Sequence, residues 1–129
     1  MKLTLQYSHH SHDESEVIDD PSATKAIELF DSFNWDSESN KANELKKCSP
    51  TLMVELSANN FIWVSSYSED GIIKFVSNCK FPGIVKAWFG FSEKEGIVDL
   101  DSNELTPINA RKALEYFLNG SHEELRCVY

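Results

Sequence analysis

Five apolar-rich runs of strand length follow one another through the middle of the chain: Leu52 to Leu56, Phe61 to Tyr67, Ile72 to Val76, Ala87 to Phe91 and Ile97 to Leu100. Turn-forming residues separate them, first Ser57-Ala58-Asn59-Asn60, then Ser68-Glu69-Asp70-Gly71, then Phe81-Pro82-Gly83, and finally Lys94-Glu95-Gly96. Gaps this short admit hairpins and leave no room for the crossover helices that parallel strands require. Asp70-Gly71 is a strong hairpin signal, because both residues tolerate the positive φ that a tight turn imposes. The middle of the chain therefore predicts a largely antiparallel sheet.

The flanks supply what must cover it. Leu3, Leu5 and Tyr7 alternate with polar residues, as in a half-buried strand, and Ser8 to Asp19 reads as a polar loop. Asp20-Pro21-Ser22 opens a helix to about Phe33, with Asp20 as cap, Pro21 at the first position and a stripe through Ala26 or Ile27, Phe30 and Phe33. Residues 36–47 are polar and fit either a loop or a short, weakly amphipathic helix through Ala42 and Leu45. A second main helix runs from the Thr106 cap and Pro107 to Asn119-Gly120, with Ala110, Ala113, Leu114 and Phe117 on one face. Leu125 to Tyr129 reads as a final short strand. The expectation is an α+β fold: a largely antiparallel sheet of five to seven strands packed with two main helices. The 129 residues suit a single domain. An apolar fraction of 41% and an aromatic fraction of 12% argue against disorder despite a net charge of −9. Phe61 and Trp63 share one strand face, Phe89 and Phe91 another, and all are expected in the core.

Charge is concentrated. Between Ser11 and Asn40 nine carboxylates face one lysine, Lys25, for a local net charge of −8. A second group, Glu93, Glu95, Asp99, Asp101 and Glu104, is offset only by Lys94. Such a surface repels phosphate backbones, so direct nucleic-acid binding is not expected, whereas a basic protein would be attracted. The bland alternative is a solvated face that keeps the protein dispersed. The candidate partner-binding residues are Asp19, Asp20, Asp31, Asp36 and Glu38, with Glu93, Asp99 and Asp101 as a second surface. Trp35, set among polar and acidic residues, is a candidate anchor, with a place at the core edge as its alternative.

Chemistry-bearing motifs are few. His9-His10-Ser11-His12-Asp13-Glu14 could ligate a transition metal, but the spacing lacks the i, i+4 pair of a helix-borne site, and a solvated loop is the plainer reading. There is no GxSxG elbow, P-loop, GxGxxG or HExxH, and His122 with Cys127 is the one conceivable nucleophile and base pair outside that loop. Cys48, Cys79 and Cys127 are odd in number and widely spaced, which points to reduced thiols in a cytoplasm. No run approaches the ~18 apolar residues of a spanning helix. The expectation is a binding protein and not an enzyme, with no cofactor, no metal and no membrane partner.

The C-terminal half carries a resemblance. The Asp70-Gly71 hairpin leads to a helix opening Leu105-Thr106-Pro107-Ile108-Asn109-Ala110 and continuing Ala113-Leu114-Glu115-Tyr116-Phe117-Leu118-Asn119-Gly120, before Val128-Tyr129. This resembles the first of the numbered Imm families of bacterial immunity proteins, from polymorphic-toxin and contact-dependent growth-inhibition systems. Members similarly end in a helix with a phenylalanine-leucine-x-glycine step, then a short strand with an aromatic residue near its end. They usually carry threonine before that glycine and tryptophan near the terminus, where this chain has Asn119 and Tyr129. The resemblance implies a cytoplasmic inhibitor that binds the toxic C-terminal domain of a cognate effector, commonly a nuclease or deaminase. An acidic adaptor unrelated to toxins is the alternative, and a small metal-binding enzyme a more distant one.

Overall fold

A computed structural model describes residues 1–8, 15–19, 22–45, 49–87 and 92–129. It is an α+β fold in which six antiparallel strands form one sheet and four helices lie against it. In chain order these are β1 (Lys2–Gln6), β2 (Glu16–Asp19), α1 (Ala23–Ser32), α2 (Trp35–Leu45), β3 (Thr51–Ser57), β4 (Asn60–Glu69), β5 (Ile72–Ala87), β6 (Ser92–Leu105), α3 (Pro107–Asn119) and α4 (His122–Val128). The strand order is β2-β1-β3-β4-β5-β6, every neighbouring pair antiparallel.

The Asp70-Gly71 turn forms as expected, with φ of 53° and 79° at its two residues. In α3, Thr106 Oγ1 accepts from the Asn109 amide at 3.1 Å, Pro107 follows it, and Gly120 ends the helix at φ 70°. All four residues of the expected face, Ala110, Ala113, Leu114 and Phe117, are buried. They meet Leu3, Leu5, Leu52, Val54, Ile62, Val64, Phe75, Cys79 and Phe81 from the sheet, together with Ala26 and Phe30 from α1.

Several local expectations are corrected. Glu16 to Asp19 is a strand and not loop: Ile18 packs on the core and pairs with Leu3, while Val17 faces out. Helix α1 begins later than expected, at Ala23, capped by Ser22, whose side chain accepts from the Lys25 amide; Asp20 and Pro21 lie outside the described residues. Of the two readings for 36–47, the helix is realised, with Asn34 Oδ1 accepting from the Ser37 amide and Asp36 and Glu38 in the favourable first turn.

The Pro82-Gly83 step does not interrupt a strand. Strand β5 runs through it, and Lys94 to Gly96, expected as a turn, pairs with Val85 to Gly83 inside β6. Beyond Lys80, which pairs with Phe61, β5 no longer pairs with β4, so Pro82 needs no N–H on that side. Gly83 is required by close approach: a Cβ there would lie 2.9 Å from Val98 Cγ2. Residues 88–91 of the expected strand, with Phe89 and Phe91, lie outside the described residues.

The expected final strand is helix α4. Leu125 is fully buried, and Val128 and Tyr129, three and four residues on, pack against the core beside it. Period-2 alternation at 125, 127 and 129 mimicked a strand, but Glu123 and Glu124 in the first turn and Arg126 in the last complement a helix dipole. His122 stacks on Phe81 with ring centroids 4.1 Å apart, and Arg126 Nη2 donates to the Ile84 carbonyl at 3.0 Å. The helix thereby clamps the part of the β5–β6 hairpin that extends past β4. Among the described residues, no buried side-chain nitrogen or oxygen lacks a hydrogen-bond partner. Buried Ser77 donates to the Trp63 carbonyl and shares a hydrogen bond with the Tyr129 hydroxyl, whose pKa burial pushes up.

Candidate protein-binding face

Among the described residues, the helices pack on one side of the sheet. That side takes Leu3, Leu5, Leu52, Val54, Ile62, Val64, Phe75, Cys79 and Phe81. Alternation sends their neighbours to the opposite side, where cross-strand register sets them in rows. One row runs Val17, Thr4, Met53, Trp63, Asn78, Asp101; the next runs Lys2, Glu55, Phe61, Lys80, Asp99. Phe61 and Trp63, expected in the core, belong to this helix-free face and are only half-buried. Met53 and Val76 are half-buried beside them, and Pro82, Ile84 and Ile97 continue the apolar strip along the β5–β6 hairpin, with Ile84 48% and Ile97 43% exposed.

Polar groups frame the strip. Lys80 Nζ sits 6.0 Å from the Phe61 ring centroid and 3.8 Å from Asp99 Oδ2, while Asn78 Nδ2 donates to Asp99 Oδ1 at 2.7 Å. Asp99 and Asp101 are exposed on this same face of β6, which is the edge of the sheet. The Tyr67 hydroxyl reaches over to the Asn103 carbonyl at 2.7 Å.

The first acidic group does not join this surface. Asp31, at the end of α1, is exposed but held by Arg111 of α3, whose Nε and Nη2 donate to its two carboxylate oxygens at 2.7 and 2.9 Å. Those hydrogen bonds keep the Asp31 carboxyl below the usual carboxylate range, and Arg111 also pairs with Glu115. Glu38 is buried: it accepts from Ser8 Oγ at 2.7 Å and lies 4.0 Å from Lys41 Nζ. Trp35 takes its alternative place at the core edge, donating from Nε1 to the Phe30 carbonyl at 2.9 Å with its ring 5.0 Å from that of Phe75. Asp36 is exposed on α2, in the helical layer. Asp19 ends β2 opposite Lys2, and Glu93 lies in β6 opposite Lys86, but their side chains, like Asp20, fall outside the described residues. Of the candidate residues, the structure thus joins Asp99 and Asp101 to Trp63 and Phe61. The sequence signal for the aromatic pair was present, since strand β4 is apolar at alternate positions on both faces.

On α4, His122 stacks on Phe81, whereas Cys127 is exposed and lines a groove with Asn109, Lys112 and Tyr116. The two side chains, five residues apart on α4, thus have different neighbours. Among the described residues no three His, Cys, Asp or Glu side chains cluster to hold a metal ion; residues 9–14, with the histidine run, lie outside them. No described helix is long and apolar enough to cross a membrane. Cys79 is a buried thiol on β5, and burial pushes its pKa up to about 12. Cys127, expected in a strand, is exposed on a helix. A thiol reagent should therefore modify Cys127 in the native protein and reach Cys79 only after denaturation, as peptide mass mapping would read. Equal native labelling would contradict the packing of β5.

No family model, no curated protein and no solved structure matches the chain.

Proposed function

We propose that this chain is a protein-binding inhibitor of the immunity type, which occludes the toxic C-terminal domain of a cognate effector in the cytoplasm without catalysis, metal or cofactor. The observation that carries the reading is the helix-free face, where Trp63, Phe61 and Met53 stand half-exposed in one apolar strip. Large aromatic side chains within a polar frame are the residue types that dominate binding energy at protein interfaces. The size is adequate: six strands at ~4.8 Å spacing span roughly 24 Å, and a ten-residue strand runs ~33 Å. That is of the order of the ~800 Å² per partner that a standard specific interface buries. The net charge of −9 and the carboxylates of β6 favour a basic partner, which suits a domain that grips nucleic acid. The resemblance supplies the class of partner, and it is carried by helix α3 with its Phe117-Leu118-Asn119-Gly120 step, since the terminal strand of that family is helix α4 here.

The test takes the protein encoded immediately upstream of this chain's gene and uses its C-terminal domain. Expressed alone, that domain should arrest growth of a host cell, and co-expression of this chain should restore it. The purified pair should associate more slowly as salt is raised. An upstream domain that is harmless, or that kills equally in the presence of this chain, would overturn the reading.

A further inference from the structure

We propose that the outer edge of β6 is a strand-addition site, taking an extended, lysine- or arginine-bearing segment of the partner that pairs antiparallel to Ile97–Asp101. This rests on the protein-binding reading above and adds where and how the partner's backbone engages.

The direction of the β6 backbone groups follows from the proline on the neighbouring strand. Pro82 has no N–H and pairs with Ile97, so that pair is one of the non-hydrogen-bonded rungs of the antiparallel ladder. Three observations agree. The carbonyl of Ile84, two residues on, is engaged by Arg126 of α4, as suits a group not bonded to β6. The Leu100 carbonyl, on the alternate rung, accepts from Asn78 on the β5 side. On the other side of β5, the Trp63 carbonyl, opposite Asn78, points towards β5 and accepts from Ser77. The N–H and C=O groups of Ile97, Asp99 and Asp101 therefore face outward, whereas those of Val98 and Leu100 bond to β5.

The edge is long and, among the described residues, uncovered. Strand β6 runs from Ser92 to Leu105 at the end of the strand order, and the elements packed on it are β5 and α3. Among the described residues, no outer backbone group of Ile97, Asp99 or Asp101 has a backbone partner beyond the sheet. An unpaired edge is a template for another strand.

Its side chains select which strand. Ile97, Asp99 and Asp101 all project onto the helix-free face, and a partner strand bonded to these residues would set its own side chains directly opposite them, with Cα atoms ~5.5 Å apart. An apolar residue fits opposite Ile97, and cations fit opposite Asp99 and Asp101. A second copy of β6 in the same pairing would set Asp99 against Asp99 of the other copy, a like-charge contact that disfavours self-association. Charge complementarity thus points to a basic segment whose alternate residues, read from its N-terminal end, are cationic, cationic, apolar.

Amide hydrogen exchange on this chain, free and bound to the upstream-encoded domain, tests the proposal. In the free protein the amides of Ile97, Asp99 and Asp101 should exchange fast, with those of Val98 and Leu100 slow. In the complex the first three should slow by at least ~10-fold. Asp99→Pro, which removes an outward N–H and leaves the β5 ladder intact, should weaken binding by at least ~10-fold. If that variant misfolds, the double change Asp99→Asn with Asp101→Asn should slow association while leaving folding unchanged. A complex that forms with these three amides still exchanging fast would overturn strand addition and leave the protein-binding reading standing. Failure to form any complex would overturn both.

Discussion

Replacing Phe75 by alanine is expected to remove ~3–5 kcal/mol of stability, the range for deleting a buried phenylalanine. Phe75 is fully buried near the start of β5, where it pairs with Leu105 of β6. Its ring lies 5.7 Å from that of Phe30 on α1 and 5.0 Å from that of Trp35 on α2. One side chain thus joins the sheet to both N-terminal helices, and the space it leaves is walled by rigid aromatics that cannot collapse into it. Domains of this size typically hold only ~5–15 kcal/mol in all, so the variant should be close to unfolding at physiological temperature. Urea denaturation at an unchanged m-value measures the loss directly. A loss below about 1 kcal/mol would mean that α1 and α2 do not dock on β5.

Replacing Trp63 by alanine should give the opposite partition, a small change in stability and a large one in binding. Trp63 sits on the same sheet but on its helix-free side, half-buried between Met53 and Asn78. Among the described residues no helix covers it, so its removal leaves no closed cavity, and stability should change by less than about 1 kcal/mol. At the centre of an interface a tryptophan truncation costs ~2 kcal/mol or more, which is a ~30-fold weaker complex. Titration calorimetry against the cognate domain, beside denaturation of the free variant, separates the two quantities. Full binding by a destabilised Trp63→Ala protein would make this face structural and move the interface elsewhere. The loss should lie mainly in the off-rate, whereas neutralising Asp99 and Asp101 should act on the on-rate.

Legibility in the sequence differed by element, for physical reasons. Helix α3 was readable from end to end because its signals are local: Thr106 and Pro107 open it, Gly120 closes it, and four apolar residues at helical spacing form its buried face. Strand β2 was hidden, since four residues in a polar stretch gain their stability from pairing with β1, a contact no short window contains. Helix α4 was misread because Leu125, Cys127 and Tyr129 satisfy the strand period, and seven residues are too few for the helical period to show. Pro82 looked like an interruption because a proline is tolerated only where its nitrogen faces away from a partner strand, and that depends on where β4 stops.

The candidate site divides along the same line. The sequence alone determined that Phe61 and Trp63 share one face of a strand and that acidic residues are concentrated in two stretches. Side-chain alternation and net charge are local properties and survive any tertiary arrangement. Only the tertiary structure decided which side of the sheet the helices cover. That choice placed Phe61 and Trp63 outside and Ile62 and Val64 inside, although all four are apolar. It also buried Glu38 against Ser8, tied Asp31 to Arg111 and packed Trp35 on Phe75, withdrawing from solvent or neutralising residues that had looked free to meet a partner. The physical reason is that a strand apolar on both faces carries no preference for either. The side that is buried is set by where α1 and α3 land, through contacts between residues far apart in the chain.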